Sequence, residues 1–209
     1  MDHAAPRGSL RADAGAPATG WMPDRARGRT AAGAVVLALD VSGSMHGHLL
    51  RQAQHGSERF LREATEGGYL AGLLLWSGDV EGESAPAAEP DPALRLLATA
   101  TAGGMTDVVP CLERAHALLA AAPARDRVLA IFCDGDLGPL EPAQQAAARL
   151  TDAGIRILTC GLGRRSAESL AAISTEEEDV VRTASPSSIG LSIARMTSGL
   201  HLVDGPDRP

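Results

Sequence analysis

The stretch that decides the fold reads Ala34-Val-Val-Leu-Ala-Leu39 and leads directly into Asp40-Val41-Ser42-Gly43-Ser44. An uninterrupted apolar run that contains β-branched residues is typical of a strand buried on both faces. After it, small and apolar residues recur every three or four positions from Leu49 to Ala64, until Gly67-Gly68 ends the pattern. The sequence therefore predicts a buried strand, a polar loop and an amphipathic helix in succession.

The same alternation of strand-like and helix-like segments continues along the chain. Buried strands are predicted at Leu70–Trp76, Val128–Cys133 and Ile155–Gly161, and edge strands near Val80–Ala85 and Asp179–Thr183. Such alternation is typical of βαβ units, so we expect a doubly wound α/β fold with a mostly parallel sheet and helices on both faces. The remaining predicted helices are about Pro92–Ala98 (with Asp91 as its N-cap), Thr106–Ala122, Pro142–Ala153, Ser166–Ser174 and Pro186–Gly199.

The two ends of the chain differ in composition from its middle. Residues 1–32 are rich in Ala, Gly, Pro and Arg and lack periodicity, so we expect a flexible N-terminal tail that is not a signal peptide. Residues 201–209 are expected to form a short C-terminal tail. One folded domain is predicted over residues 33–200, and its apolar runs are far shorter than the ~20 residues that span a membrane.

Composition argues against several classes of function. The net charge is −7 and aromatic residues make up 2%, which disfavours binding to nucleic acid. The sequence contains no Lys, so it lacks the lysine of P-loop, Schiff-base and β-lactamase sites. Cys111, Cys133 and Cys160 have neither zinc-binding nor disulfide spacing, and the last two are predicted to be small buried residues. We therefore expect a reducing cytoplasm as the location.

Oxygen-bearing side chains collect where the predicted strands end. Asp40, Ser42 and Ser44 follow the first strand, Asp134 follows a later strand, and Thr106 ends a glycine-rich loop. Ligands of doubly wound sheets bind at the carboxyl ends of the strands. Carboxylates and hydroxyls are the hard oxygen donors that Mg²⁺ and Mn²⁺ accept, so a metal site is predicted. Taken singly, each residue also has a plainer interpretation as a turn or helix-cap residue.

These five positions, in this order and on these elements, resemble the metal-ion-dependent adhesion site of the von Willebrand factor A domain family. The resemblance extends from about Gly33 to Leu200 and departs from the family pattern at Met105, where a glycine is frequent. It implies a Rossmann-like three-layer sandwich with one short antiparallel edge strand. Because the segment after Trp76 is short, we expect that edge hairpin to be reduced.

The resemblance implies a role for each matching residue. Ser42 and Ser44 would bind the cation, Mg²⁺ or Mn²⁺, directly. Asp40 and Asp134 would act directly or through water, and Thr106 would join when a ligand is bound. An Asp or Glu of another protein is then expected to complete the coordination, so that the cation bridges two proteins and no bond is made or broken.

The function implied is a cation-dependent protein-binding adaptor of the stand-alone, intracellular bacterial type. One alternative is an accessory subunit of an AAA+ ATPase (MoxR-like or chelatase-like) or of a stress or defence complex, with a mainly structural metal. Another is a phosphohydrolase of the haloacid-dehalogenase kind. That enzyme would require a second Asp where Ser42 stands and a Lys, which the sequence does not contain. Neither the partner nor the oligomeric state follows from the sequence.

Overall fold

Strand β1 (Gly33–Asp40) occupies the interior of the sheet in this computed structural model, which describes residues 31–135, 137–176 and 182–200. It pairs in parallel with β2 (Tyr69–Trp76) on one side and with β4 (Asp126–Cys133) on the other. Every residue of β1 is buried, which is the environment that its uninterrupted apolar sequence favours. The predicted buried strand is confirmed.

Within the described residues, the sheet has six strands in the order β3-β2-β1-β4-β5-β6. Strand β3 (Val80–Ala87) is the antiparallel member and pairs with β2, whereas β5 (Ile155–Leu162) and β6 (Arg182–Ala184) continue the parallel part. The mostly parallel sheet with one antiparallel edge strand confirms the predicted fold class. Strand β3 has eight residues, so the expectation of a reduced edge hairpin is wrong.

Helices cover both faces of the sheet, as predicted. Helices α1, α2 and α6 pack against Val35, Leu37 and Leu39, while α3, α4 and α5 lie over the opposite face with Ala34 and Val36. Alternate residues of β1 therefore belong to two separate apolar cores. The helices are α1 (His48–Glu66), α2 (Asp91–Ala98), α3 (Val109–Ala121), α4 (Leu140–Asp152), α5 (Gly163–Ala171) and α6 (Ile189–Arg195), with 3-10 turns at Gly43–Met45 and Met196–Gly199.

Most predicted helix starts differ from the structure by one to three residues. Helices α4, α5 and α6 begin at Leu140, Gly163 and Ile189, where Pro142, Ser166 and Pro186 are predicted. Asp91 is the first residue within α2 and not its N-cap, a position that Pro90 occupies. Helix α3 begins at Val109, three residues after Thr106, and the carboxylate of Asp107 accepts a hydrogen bond from the Val109 N–H at 3.0 Å. Pro110 in the first turn of α3 fits this later start, because proline is tolerated where no intrahelical N–H bond is needed.

Helices α1 and α6 approach each other backbone to backbone. A Cβ atom placed on Gly56 would lie 2.5 Å from the carbonyl oxygen of Gly190, and one on Gly190 would lie 3.1 Å from the carbonyl oxygen of Gln52. Neither position has room for a larger side chain without movement of a helix. The two glycines therefore set the separation of α1 and α6.

A polar cluster at the amino ends of the strands holds the last described residues in place. The Arg156 guanidinium forms a bidentate ion pair with Asp126, at 3.1 and 3.0 Å, and also donates to the Gly199 carbonyl at 3.1 Å. The Tyr69 hydroxyl lies within hydrogen-bond reach of the Asp126 carboxylate and the Leu200 carbonyl. Three strands are thus tied to the segment that follows α6.

The boundaries of the predicted domain fall partly outside what the structure describes. The expected N-terminal tail lies there except for its last two residues, and the C-terminal tail lies there entirely. Ala32, at the predicted boundary, donates a backbone hydrogen bond to Gly68 at 3.0 Å. Within the described ranges, no helix is both long and apolar enough to cross a membrane.

Candidate metal centre

The candidate site lies where the order of the strands changes direction. The chain passes from β1 to β2 on one side and later returns to β4 on the other side, so that loops leaving β1 and β4 diverge at the carboxyl edge of the sheet. A crevice of this kind is the usual ligand site of doubly wound folds. Asp40 is the last residue of β1, and Asp134 follows the last residue of β4.

Four of the five predicted residues form a closed ring of hydrogen bonds. The Asp40 carboxylate accepts from the Ser42 N–H at 2.8 Å and from the Asp134 N–H at 3.3 Å. The Ser42 and Ser44 hydroxyl oxygens are 3.1 Å apart, and the Ser44 hydroxyl donates to the Asp134 carboxylate at 2.9 Å. The structure thus brings together Asp40, Ser42, Ser44 and Asp134, as the sequence predicts.

The direction of donation around the ring follows from proton counting. Each serine hydroxyl has one proton, and Ser44 gives its proton to Asp134. The hydrogen bond between the two serines must therefore be donated by Ser42. Both hydroxyl oxygens and both carboxylates keep lone pairs that these hydrogen bonds leave unused, so each can still act as a ligand to a cation.

The electrostatics of the ring favour a cation. Asp40 is fully buried and Asp134 is half-buried, and no basic side chain in the described part of the chain forms an ion pair with either of them. Burial raises the pKa of Asp134 above its ordinary value, the negative charge of Asp40 raises it further, and the hydrogen bond from Ser44 opposes both effects. A divalent cation beside the two carboxylates would supply the missing positive charge.

Cys133 is a neighbour of this ring that the sequence analysis did not assign to the site. Its sulfur and one carboxylate oxygen each of Asp40 and Asp134 all lie within 4.8 Å of one another. Burial chiefly, and then the charge of Asp40, raise the pKa of the Cys133 thiol well above its usual range. A protonated thiol is a poor metal ligand, so the donors that fit are the oxygens, the type that Mg²⁺ and Mn²⁺ prefer. The position of Cys133 directly before Asp134 is the signal that could have placed it here.

The loop that carries Thr106 is connected to the site by backbone hydrogen bonds of two glycines. The Gly104 carbonyl accepts from the Gly43 N–H at 3.3 Å, and the Gly103 N–H donates to the Val41 carbonyl at 2.8 Å, so the loop lies against the Ser42–Ser44 turn. Thr106 is half-buried, and its hydroxyl has no hydrogen-bond partner among the described residues. Its role as a ligand stays a prediction.

Two histidines beside the site, His46 and His48, are exposed. His46 donates from Nδ1 to the Gly43 carbonyl at 2.7 Å, and His48 is 3.0 Å from the Gln52 side-chain amide. Asp136, for which no role is predicted, lies outside the described residues.

The chain is similar to one protein family and to several solved structures. Residues 35–136 match the family model of the von Willebrand factor type A domain. The match extends from β1 to the loop after β4 and includes all five predicted ligands. This family commonly mediates interactions between proteins. No curated protein sequence is significantly similar to the chain.

Solved structures share the fold at low sequence identity. The von Willebrand factor domain of the type V pili tip protein Mfa5 from Porphyromonas gingivalis superposes with a TM-score of 0.74 and 13% identity, over 87% of this chain and 99% of that one. A von Willebrand factor type A structure from Catenulispora acidiphila has a TM-score of 0.66 and 17% identity, over 81% of this chain and 43% of that one. BatB from Bacteroides thetaiotaomicron has a TM-score of 0.57 and 16% identity, over 79% and 99%. At these identities the likeness shows the fold alone.

Proposed function

We propose that this chain, whose residues 35–136 match the von Willebrand factor type A domain family, is a divalent-cation-dependent protein-binding module. Asp40, Ser42, Ser44 and Asp134 would hold Mg²⁺ or Mn²⁺, with Thr106 as a further ligand from the neighbouring loop. When bound, the cation supplies a positive charge and a coordination position for an Asp or Glu side chain of a partner protein.

The observation that carries this proposal is the ring of hydrogen bonds at the strand switch point. It joins two carboxylates and two hydroxyls from separate segments without a compensating basic residue in the described ranges. Neutral hydroxyl ligands would leave the cation only partly neutralised, so it would retain affinity for an external carboxylate. Ser44 is exposed, which leaves this side of the ring accessible to a partner.

The module would act as an adaptor in a reducing cytoplasm, and an accessory role beside an AAA+ ATPase or within a stress or defence complex is compatible with it. The absence of any disulfide among Cys111, Cys133 and Cys160 supports such a location. The proposal includes no catalytic step. Two observations support a role without catalysis. Ser42 stands where a phosphohydrolase would need a second Asp, and the sequence has no Lys.

The test is affinity capture from a cell lysate, with the full chain as bait, in Mg²⁺ and in EDTA. A partner retained only with Mg²⁺ and lost from the Ser42→Ala/Ser44→Ala double variant would support the proposal. Ser187→Ala is a suitable control, since Ser187 is an exposed serine on the turn before α6. Capture of the same partner in EDTA and by the double variant would overturn the proposal.

A mainly structural metal is the second candidate function of the site. Buried Asp40 favours it, because its carboxylate ties the end of β1 to the start of the loop after β4. In that case the double variant would melt at a clearly lower temperature in Mg²⁺ yet still capture the same partner. Loss of the partner, with the melting temperature in EDTA unchanged, would favour the binding module.

A further inference from the structure

Met105 is unusually exposed for a large apolar side chain. Its exposed fraction is 82%, compared with 50% for Leu140 and 45% for Leu191, the other large apolar side chains that the described residues leave exposed. Isolated exposed apolar residues are common on protein surfaces. Met105 differs from these residues in two respects. It lies beside glycines, and it directly precedes Thr106, one of the candidate ligands.

Met105 has a glycine on either side, Gly104 in the sequence and Gly78 in space. It follows Gly104, which has a positive φ of 78° and would not easily accept another residue. A Cβ atom on Gly78 would be 3.8 Å from the Met105 Cβ, so the side chain stands beside bare backbone. Gly43 and Gly103 are also exposed, and they present main chain with no side chain above it. A partner segment could therefore approach this surface closely.

The same residue adjoins the candidate metal centre. Gly104, its predecessor, is hydrogen-bonded through its carbonyl to Gly43, which lies between Ser42 and Ser44. Thr106, its successor, is the predicted fifth ligand. The chain thus places one exposed apolar side chain at the rim of a site that would attract a carboxylate once it holds a cation.

We propose that Met105 is a specificity-determining contact of this site. It packs against an apolar side chain that neighbours the metal-bound Asp or Glu in an extended segment of the partner protein. This inference rests on the proposed function. The unbranched and polarisable methionine side chain adapts to aliphatic and aromatic surfaces alike. The partner's recognition sequence is therefore an acidic residue adjacent to Leu, Ile, Met or an aromatic residue.

Selection from a random linear peptide library displayed on phage tests the proposed function and the role of Met105 separately. The immobilised full chain is panned in Mg²⁺ and in EDTA, and enriched peptides are sequenced. The expected result is Mg²⁺-dependent enrichment of Asp or Glu, with apolar residues over-represented next to it. No Mg²⁺-dependent enrichment of acidic residues would overturn the proposed function and, with it, this inference.

The variant Met105→Ser isolates the role of Met105, and Leu191→Ser on α6 is the matched control. Met105→Ser should still select acidic peptides in Mg²⁺ but lose the preference for the adjacent apolar residue. It should bind the best wild-type peptide about tenfold more weakly, equivalent to about 1.4 kcal/mol. Leu191→Ser should behave as wild type. Acidic selection with no apolar preference, or a preference that Met105→Ser retains, would overturn the inference and leave the proposed function standing.

Discussion

The backbone N–H of Asp134 donates a hydrogen bond to a carboxylate oxygen of Asp40, with an N···O distance of 3.3 Å across a sequence separation of 94 residues. The other carboxylate oxygen of Asp40 accepts from the Ser42 N–H. One buried side chain therefore fixes the relative positions of the loops that follow β1 and β4 at the site. A substitution at Asp40 would disturb the fold and the ligand set together, so Asp134 and the two serines are better positions for testing metal binding.

Replacing Asp134 by Asn should separate metal binding from stability. Because burial raises the pKa of Asp134, its charged form is less favourable in the folded protein than in the unfolded chain. Removal of the charge should therefore leave the melting temperature in EDTA equal or higher. In wild type, Mg²⁺ at about 100 times its Kd should add about 2.7 kcal/mol of stability, or about 5–10 °C. Asp134→Asn should lose that increase, as measured by thermal unfolding with and without Mg²⁺.

The control for Asp134→Asn is Asp152→Asn, the same chemical change at an exposed residue that ends α4. It should retain the full Mg²⁺-dependent rise in melting temperature. An undiminished rise in Asp134→Asn would remove Asp134 from the ligand set.

Tyr69 should ionise only at a pH well above 10. Its pKa is raised above the ordinary value of 10.0, first by burial and then by its hydrogen bond to Asp126. A group that binds its proton more tightly when folded contributes stability that is complete below the unfolded pKa and is lost as pH rises toward the folded pKa. Unfolding by urea should therefore become easier above about pH 10.

Tyr69 is the single tyrosine of the sequence, so tyrosinate absorbance reports on it alone. The titration midpoint in native protein should lie above that in urea. Tyr69→Phe removes the tyrosinate signal and should weaken the alkaline loss of stability. Equal midpoints in native and unfolded protein would contradict the buried cluster with Asp126.

Gly56→Ala should destabilise the protein, although alanine normally favours helices over glycine by about 1 kcal/mol. The added Cβ would meet the Gly190 carbonyl at 2.5 Å and force α1 and α6 apart. Overpacking of this kind costs about 1–3 kcal/mol. Chemical denaturation measures the change, with the exposed neighbour His55→Ala as the control in the same helix. A stabilised Gly56→Ala variant would show that the two helices are not in backbone contact.

The cysteine thiols should react with a thiol-specific reagent only as the protein opens. Cys111, Cys133 and Cys160 are fully buried, and burial raises the pKa of the first two thiols. Since the thiolate is the reactive form, both exposure and ionisation are suppressed. Labelling should be slow in native buffer and complete in denaturant, followed by absorbance. Rapid labelling in native buffer would contradict the burial of these residues.

The sequence predicts most of this fold because the decisive signals are local. The apolar run of β1 and the Asp40, Ser42 and Ser44 positions after it are readable without knowledge of any distant residue. Strand β3 was underestimated because Glu, Gly and Pro are uncommon in strands, and only its pairing with β2 shows its full length. The polar cluster around Asp126 could not be predicted, because its partners come from segments far apart in sequence.

Within the site, too, some positions follow from the local sequence and others depend on distant residues. Four ligand positions follow from strand ends, but the place of Cys133 beside Asp40 depends on the register between β1 and β4. The position of Cys133 directly before Asp134 is a local signal for the site, but nothing in the neighbouring sequence indicates its closeness to Asp40. Pro110 is consistent with the late start of α3, but the Thr106–Asp107 pair, which is typical of a helix start, favours an earlier one.

The composition of edge strand β3 has a consequence for the protein in concentrated solution. It carries two exposed acidic residues, Glu81 and Glu83, of which Glu83 forms an ion pair with Arg114. It also contains Pro86, and its register with β2 shifts near Gly72. Charge, a missing N–H donor and an irregular outline each hinder the addition of a strand from another molecule. We therefore expect this border of the sheet to resist intermolecular β-aggregation, so that the protein stays dispersed at concentrations where a flat apolar edge would assemble into fibrils.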